Sequence, residues 1–286
     1  MEASFSACTV HVIGLGLMGG SLAMALRGQV GRIAAEDIAP DVIADAAAHG
    51  IIDGPGTSQE ADIVVLATPA HAILDLAPRL ALRPGTLVID LGSTKTRICQ
   101  VLDGLPPGVL AVGGHPMCGL AENGYAHAIP TLYRGARFVL CETQRTTAEA
   151  RLVAETLVRA VGAQPLWMDR ARQDRLTALT SHLPHLLSFA LMRLAMDGAA
   201  EDPALLELAA GGFDGATRLA RTDAAMIVGM FSTNADQLRR AAAELRAHLD
   251  RLDAILADVG ALEDELGAIV AARRAYTAGY GERLIT

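Results

Sequence analysis

A chain of 286 residues, 51% hydrophobic but only 3% aromatic, is long for one core and suits two domains. Its 24 basic and 32 acidic residues leave a net charge of −8 with no basic patch, which argues against a nucleic-acid partner. No run of about 18 apolar residues suggests a membrane span, and no basic-then-apolar leader suggests secretion, so a cytoplasmic protein is expected.

The first element is an apolar run at Thr9–Ile13 that leads into Gly14-Leu15-Gly16-Leu17-Met18-Gly19. G-x-G-x-x-G has meaning only where it follows a strand and opens a helix, and a helix is expected over 20–26. Gly14 then allows the tight turn and Gly16 the approach of a pyrophosphate. Gly19 allows close helix–strand contact. The helix N-terminus offers free N–H groups and a partial positive charge to the phosphates, and Leu17 and Met18 within the turn are further cofactor-binding candidates. A second strand at Arg32–Glu36 ends beside Asp37, about twenty residues on. A carboxylate there accepts from the adenosine ribose hydroxyls and repels a 2′-phosphate, so NAD is expected over NADP, with Glu36 as the rival residue.

Further apolar runs at 63–67, 86–89, 109–112 and 137–140 alternate with helical segments such as 40–49 and 70–77. That alternation predicts an α/β fold, a doubly wound parallel sheet of the Rossmann kind. Ligands of such sheets sit beyond the carboxyl ends of the strands. Thr68 and Pro69 end one run there, and Ser93 lies just after another, although Ser and Thr also cap helices at such places. His115 follows the run at 109–112, flanked by Gly113 and Gly114. A histidine at a strand end can take a hydroxyl proton as hydride leaves the same carbon.

After Trp167 the β-branched runs stop and helical patterns take over, so domains are expected at 1–168 and 169–286. His182 and His185 in Ser181-His182-Leu183-Pro184-His185 are spaced for one helix face, but no Asp, Glu or Cys nearby completes a zinc set, and no metal is expected. The run 211–218 reads as a glycine-rich break between helices that delivers Arg218, a residue suited to gripping a carboxylate. Leu238, Leu245, Leu252, Val259 and Leu266 recur every seven residues, with Ala242, Leu249 and Leu256 between them. This is the stripe of one or two long helices, serving either the core or a dimer seam. The chain ends at Thr286 soon after, so no regulatory domain is expected beyond the helical half. The four cysteines are widely spaced and read as reduced thiols.

The segments GLGLMGGSLA, ATP, DLGSTK, GGHPMCG, LYRG, SHLPH and GGF-x-x-x-TR-x-A, in this order and spacing, resemble the prephenate/arogenate dehydrogenases of tyrosine biosynthesis. The resemblance implies a Rossmann domain followed by an all-α domain that binds substrate and dimerises. It implies NAD(P)-dependent oxidative decarboxylation of prephenate or arogenate to 4-hydroxyphenylpyruvate or tyrosine. Matched residue by residue, it makes His115 the catalytic histidine and Ser93 its neighbour at the substrate hydroxyl. It places His185 in the substrate pocket and Arg218 on the substrate carboxylate. The chain departs from the pattern at Leu120, Ala121 and Glu122, at Asp214 and Gly215, and at Ile227. The first departure leaves arogenate open beside prephenate, and the last two, near Arg218, make an amino-substituted prephenate an alternative substrate. A related dehydrogenase of a 3-hydroxyacid or imine, and a non-catalytic NAD-binding protein, are the other readings.

Overall fold

The computed structural model describes residues 5–120 and 122–281, which leaves Ala121 and Thr286 outside the described residues. The chain packs as two compact units, one ending at Ala235 and the other starting at Asp236.

The first unit is built on an eight-stranded sheet in the order β3-β2-β1-β4-β5-β6-β7-β8. The strands are β1 (Thr9–Ile13), β2 (Arg32–Glu36), β3 (Gly54–Pro55), β4 (Ile63–Leu66), β5 (Leu87–Asp90), β6 (Leu110–Pro116), β7 (Arg137–Glu142) and β8 (Gln164–Trp167). All pair in parallel except β6 with β7. The helices between them are α1 (Leu17–Leu26), α2 (Pro40–Ala48), α3 (Ala70–Leu76), α4 (Thr96–Asp103) and α5 (Ala148–Ala160). Successive side chains of a strand point to opposite faces, so a strand covered on both faces is apolar throughout. Val10, Val12, Ile63 and Val65 pack with α1 residues Leu22 and Leu26 and with Leu157 of α5. Val64, Leu66 and Val88 pack on the other face with Ile73 of α3 and Ile98 and Leu102 of α4. The doubly wound α/β class expected from the alternation is therefore the observed one.

Beyond β8 the described elements are helical. They are α6 (Arg170–Thr177), a π turn (Ala178–His182), α7 (Leu183–Glu201), α8 (Ala204–Glu207), α9 (Gly211–Thr217), a 3-10 turn (Arg218–Arg221), α10 (Ala224–Thr233), α11 (Ala235–Ile255) and α12 (Val259–Tyr280). The seven-residue stripe falls on α11 and α12 rather than on one helix. Leu238 and Ala242 are buried, whereas Leu249, Leu256, Val259 and Leu266 stand 44–76% exposed in the single chain.

Three local expectations differ from what is observed. Strand β6 runs on to Pro116, so His115 lies within the strand, opposite Val139 of β7. The apolar pattern stops at Val112, but pairing with β7 carries the extended backbone four residues further. Helix α1 starts at Leu17, three residues before the expected start at Gly20. The glycine-rich run 211–218 is not a break but α9 and the first residue of the 3-10 turn, and Thr217 Oγ1 donates to Phe213 O at 2.8 Å. Tertiary context there overrides the low helix propensity of glycine.

Candidate active site

The carboxyl ends of β1, β4, β5 and β6 lie along one edge of the sheet, and the connections diverge to opposite sides between β1 and β4. Such a switch point leaves a crevice for a ligand. Gly14 enters it with φ +94°, a conformation that side chains disfavour. A Cβ on Gly19 would sit 1.9 Å from Gly14 O, so α1 can start this close to β1 only with glycine there. A Cβ on Gly16 would meet nothing within 4 Å, and no side chain caps the α1 N-terminus at Gly16. Leu17 is buried, and Met18 O accepts from the Tyr133 hydroxyl at 2.7 Å, which ties α1 to the segment before β7. Opposite, Thr68 Oγ1 is buried without a partner, and Pro69 follows as the first residue before α3. An uncapped helix N-terminus, open space at Gly16 and an orphaned hydroxyl together fit a phosphate-bearing dinucleotide.

Asp37 is half-buried at the end of β2. Its Oδ2 accepts from Leu15 N–H at 2.7 Å and its Oδ1 from Ala39 N–H at 2.9 Å. The carboxylate thus braces the glycine turn, and each oxygen keeps a second lone pair. Glu36 points elsewhere, its Oε2 3.8 Å from Nε2 of the buried His11. Ile38 is fully exposed beside Asp37.

At the end of β5 a buried ion pair organises the next two loops. Lys95 Nζ donates to Asp90 Oδ2 and, at 2.5 Å, to Gly114 O. Gly92 and Gly114 each donate N–H to the Asp90 carboxylate at 2.9 Å. Both ionic side chains are fully buried. Burial raises the Asp90 pKa, while the Lys95 ammonium and the two N–H groups pull it back. This packing explains the glycines before His115. A Cβ on Gly113 would come within 2.5 Å of Cys99 Sγ, and one on Gly114 within 2.3 Å of Asp90 O.

His115 is half-buried at the end of β6, and burial, the Lys95 ammonium and His182 lower its pKa to about 3. Its Nδ1 lies 2.6 Å from Gln173 Nε2, which also donates to Ser93 O at 3.2 Å. Gln173 and the next residue, Asp174, are both buried on α6. Asp174 accepts from the backbone N–H groups of Lys95 and Thr96 at 2.6 and 2.8 Å, which supplies α4 with the N-terminal cap its own sequence lacks. The pair therefore joins the first helix beyond the sheet to the loop that carries Ser93.

The π turn places His182 next in line. It is fully buried, and Asn234 Nδ2 donates to its Nδ1 at 3.1 Å and to Asp174 O at 2.8 Å. That bond keeps the ring proton on Nε2, which is buried without a partner. Burial and the nearby His185 lower the His182 pKa to about 4. His185 is half-buried, one turn along α7, with Nδ1 2.9 Å from Ser181 O. Burial and the charge of Arg218 lower its pKa, while the Ser181 bond raises it. Each group thus registers the charge of the next, in the order His115, His182, His185, Arg218, and Ser93 joins this row through Gln173. A π turn inserts one residue into the helix and re-aims the side chains around it. That is how one segment presents His182 inward and His185 toward Arg218.

Gln173, Asp174, His182 as a buried member of the row and Asn234 were not reached from the residues alone. Gln173 and Asp174 are an ordinary polar pair on a helix, nine and eight residues before His182, with no pattern of their own. No group of three or more His, Cys, Asp or Glu that could hold a metal occurs among the described residues.

Sequence comparison matches residues 22–166 to the prephenate dehydrogenase nucleotide-binding domain and residues 169–270 to the prephenate dehydrogenase dimerization domain. A prephenate dehydrogenase of Lactococcus lactis is 33% identical over 85% of this chain and 70% of its own length. The solved prephenate dehydrogenase of A. aeolicus, in complex with hydroxyphenyl propionate and NAD+, is similar with a TM-score of 0.89. It is 28% identical over 96% of this chain and 100% of its own. The arogenate dehydrogenase of Synechocystis has a TM-score of 0.77 at 28% identity, over 94% and 99% of the two chains. By both domain matches and by these relatives, the chain belongs to the prephenate dehydrogenase family of oxidoreductases.

Proposed function

We propose that this protein catalyses the nicotinamide-dependent oxidative decarboxylation of prephenate or arogenate, with His115 as the group that receives the substrate hydroxyl. The observation that carries the reading is an imidazole held neutral at the end of β6, on the strand edge that bears the glycine turn, with Arg218 at the far end of the histidine row. The relatives named prephenate and arogenate dehydrogenase support it.

The chemistry suits a weak base. A nicotinamide held at the glycine turn would supply the hydride acceptor for C4 of the ring. As the hydride leaves, positive charge grows on the 4-hydroxyl, and a lone pair of His115 stabilises that hydrogen. Loss of the ring carboxylate as carbon dioxide then supplies the electron pair that completes the aromatic ring, and the oxygen keeps or regains its proton as a phenol. One hydride and one carbon dioxide leave and no net proton is released, so the histidine need only share a proton and not hold it. Ser93 lies beside the hydroxyl, Arg218 pairs with a substrate carboxylate, and His185 braces the pocket next to it. Residues 1–168 serve the cofactor, and 169–286 the substrate and the dimer. The exposed stripe on α11 and α12 supports a homodimer.

Purified protein given NAD and either prephenate or arogenate is expected to form NADH and carbon dioxide in equal amounts. Binding of NAD with no NADH from either substrate overturns the proposal, and the ratio of the two rates assigns the acid.

NAD is the cofactor in this reading because Asp37 leaves free lone pairs where ribose hydroxyls arrive and repels a 2′-phosphate. Asp37→Asn keeps an acceptor for Leu15 N–H while removing the charge. It is expected to lower the NAD-to-NADP ratio of kcat/KM by about tenfold, as 1.4 kcal/mol does. An unchanged ratio assigns discrimination to Glu36.

A further inference from the structure

Gln173 is a fully buried amide with two good partners on one side and none on the other. Its Nε2 lies 2.6 Å from His115 Nδ1 and donates to Ser93 O at 3.2 Å, while its Oε1 is buried without a partner. A carbonyl oxygen can only accept, so Ser93 O fixes the amide with its nitrogen toward the histidine. An N–H pointed at Nδ1 requires a lone pair there, and a neutral imidazole then carries its proton on Nε2. Gln173 occupies Nδ1, so Nε2 is the nitrogen left for substrate. In this state the ring offers substrate a donor, whereas the reaction needs an acceptor.

We propose that Gln173 is a positioning residue that sets the tautomer of His115, and that a half-turn of its amide converts the histidine from a donor into the acceptor the reaction needs. After the half-turn Oε1 accepts from Nδ1–H; water takes the Nε2 proton and returns one to Nδ1, so the ring stays neutral. The Nε2 lone pair is then free. Ser93 O loses its donor, and the amide nitrogen takes the pocket that now holds the orphaned oxygen. The free chain therefore rests in the unreactive tautomer, and substrate binding selects the other. Lys95, on the loop after β5, and His182, on the π turn, are the titratable groups facing the ring, and both oppose a full positive charge on it. This inference rests on the role given to His115 above.

The test uses the full-length protein, two variants and two readouts. Gln173→Glu can only accept, so it holds the proton on Nδ1. Imidazole 15N NMR of the free protein is expected to show His115 protonated on Nε2 in the wild type and on Nδ1 in Gln173→Glu. The added carboxylate also favours the charged ring, so the acid limb of the kcat profile is expected to move to higher pH. Gln173→Met fills the space without a hydrogen bond. It is expected to lower kcat by about 10²-fold, as loss of alignment does, with KM and NAD affinity little changed. The same His115 tautomer in wild type and Gln173→Glu overturns the inference. So does an unchanged kcat and pH profile in Gln173→Met. The NMR readout needs no turnover, so failure of the proposed reaction and failure of this inference are distinguishable.

Discussion

Replacing His115 with asparagine is expected to lower kcat by roughly 10²- to 10⁴-fold, the span that a well-placed acid–base group contributes. Asparagine keeps a polar group near Gln173 and retains the strand, because its backbone still pairs with β7. It lacks a ring nitrogen with a free lone pair to meet the hydroxyl as charge develops. NAD affinity is expected to stay within a few-fold of wild type, because the glycine turn lies on β1 and α1 and not on β6. The pH dependence is equally specific. Burial, Lys95 and His182 hold the His115 pKa near 3, so the ring is neutral well below the pH at which a free imidazole protonates. The acid limb of wild-type kcat that belongs to His115 is therefore expected near pH 3, not near 6.5. A His115→Asn enzyme with wild-type kcat would remove the histidine from the mechanism.

Lys95→Met is expected to be the most damaging single change to the fold around the site. Methionine replaces most of the side-chain volume but leaves the Asp90 carboxylate buried without its cation. Breaking a buried pair in this way costs about 3–5 kcal/mol, which lowers Tm by roughly 10 °C for a domain of this size. The pH dependence of that loss has a definite sign. Burial raises the Asp90 pKa above its unfolded value, and without the Lys95 ammonium to oppose it the folded variant keeps its proton to higher pH than the unfolded chain does. Its deficit is expected to grow as pH rises above the unfolded carboxyl pKa and to narrow in acid. Adding Asp90→Asn is expected to recover part of the loss, since an amide needs no counter-ion and can still accept from Gly92 or Gly114 N–H. Thermal unfolding of both variants at two pH values is the measurement. A Lys95→Met protein that melts with the wild type would show that the pair does not support the fold.

The two variants separate functions that meet on β6, at Gly114 and its neighbour His115. Asp90 and Lys95 grip Gly114 through its N–H and its carbonyl, so the backbone that carries His115 is held from both sides. Loss of the ring is expected to leave the melting temperature almost unchanged. Loss of the lysine is expected to lower both stability and kcat, because β6 is no longer pinned.

The sheet was legible because its signal is local. Strands buried on both faces are near-continuous apolar runs, and Ile63 through Leu66, or Val10 through Ile13 with only His11 interrupting, read as such without any partner. The glycine turn was legible for the same reason, since positive φ at Gly14 and the contact of Gly19 with Gly14 O admit only glycine. The end of β6 was not, because Gly113-Gly114-His115-Pro116 carries no apolar period and becomes strand through pairing with β7. The helical glycines of α9 misled in the opposite direction, toward a loop. Composition, the order of the motifs and the chemistry available at His115, Ser93, His185 and Arg218 were set by the sequence itself. Only the tertiary structure decided that Gln173 takes Nδ1 of His115, that Asp174 caps α4 and that Lys95 is buried against Asp90. These contacts join residues 5 to 79 positions apart, and the burial that gives them their strength exists only once the chain has closed around them.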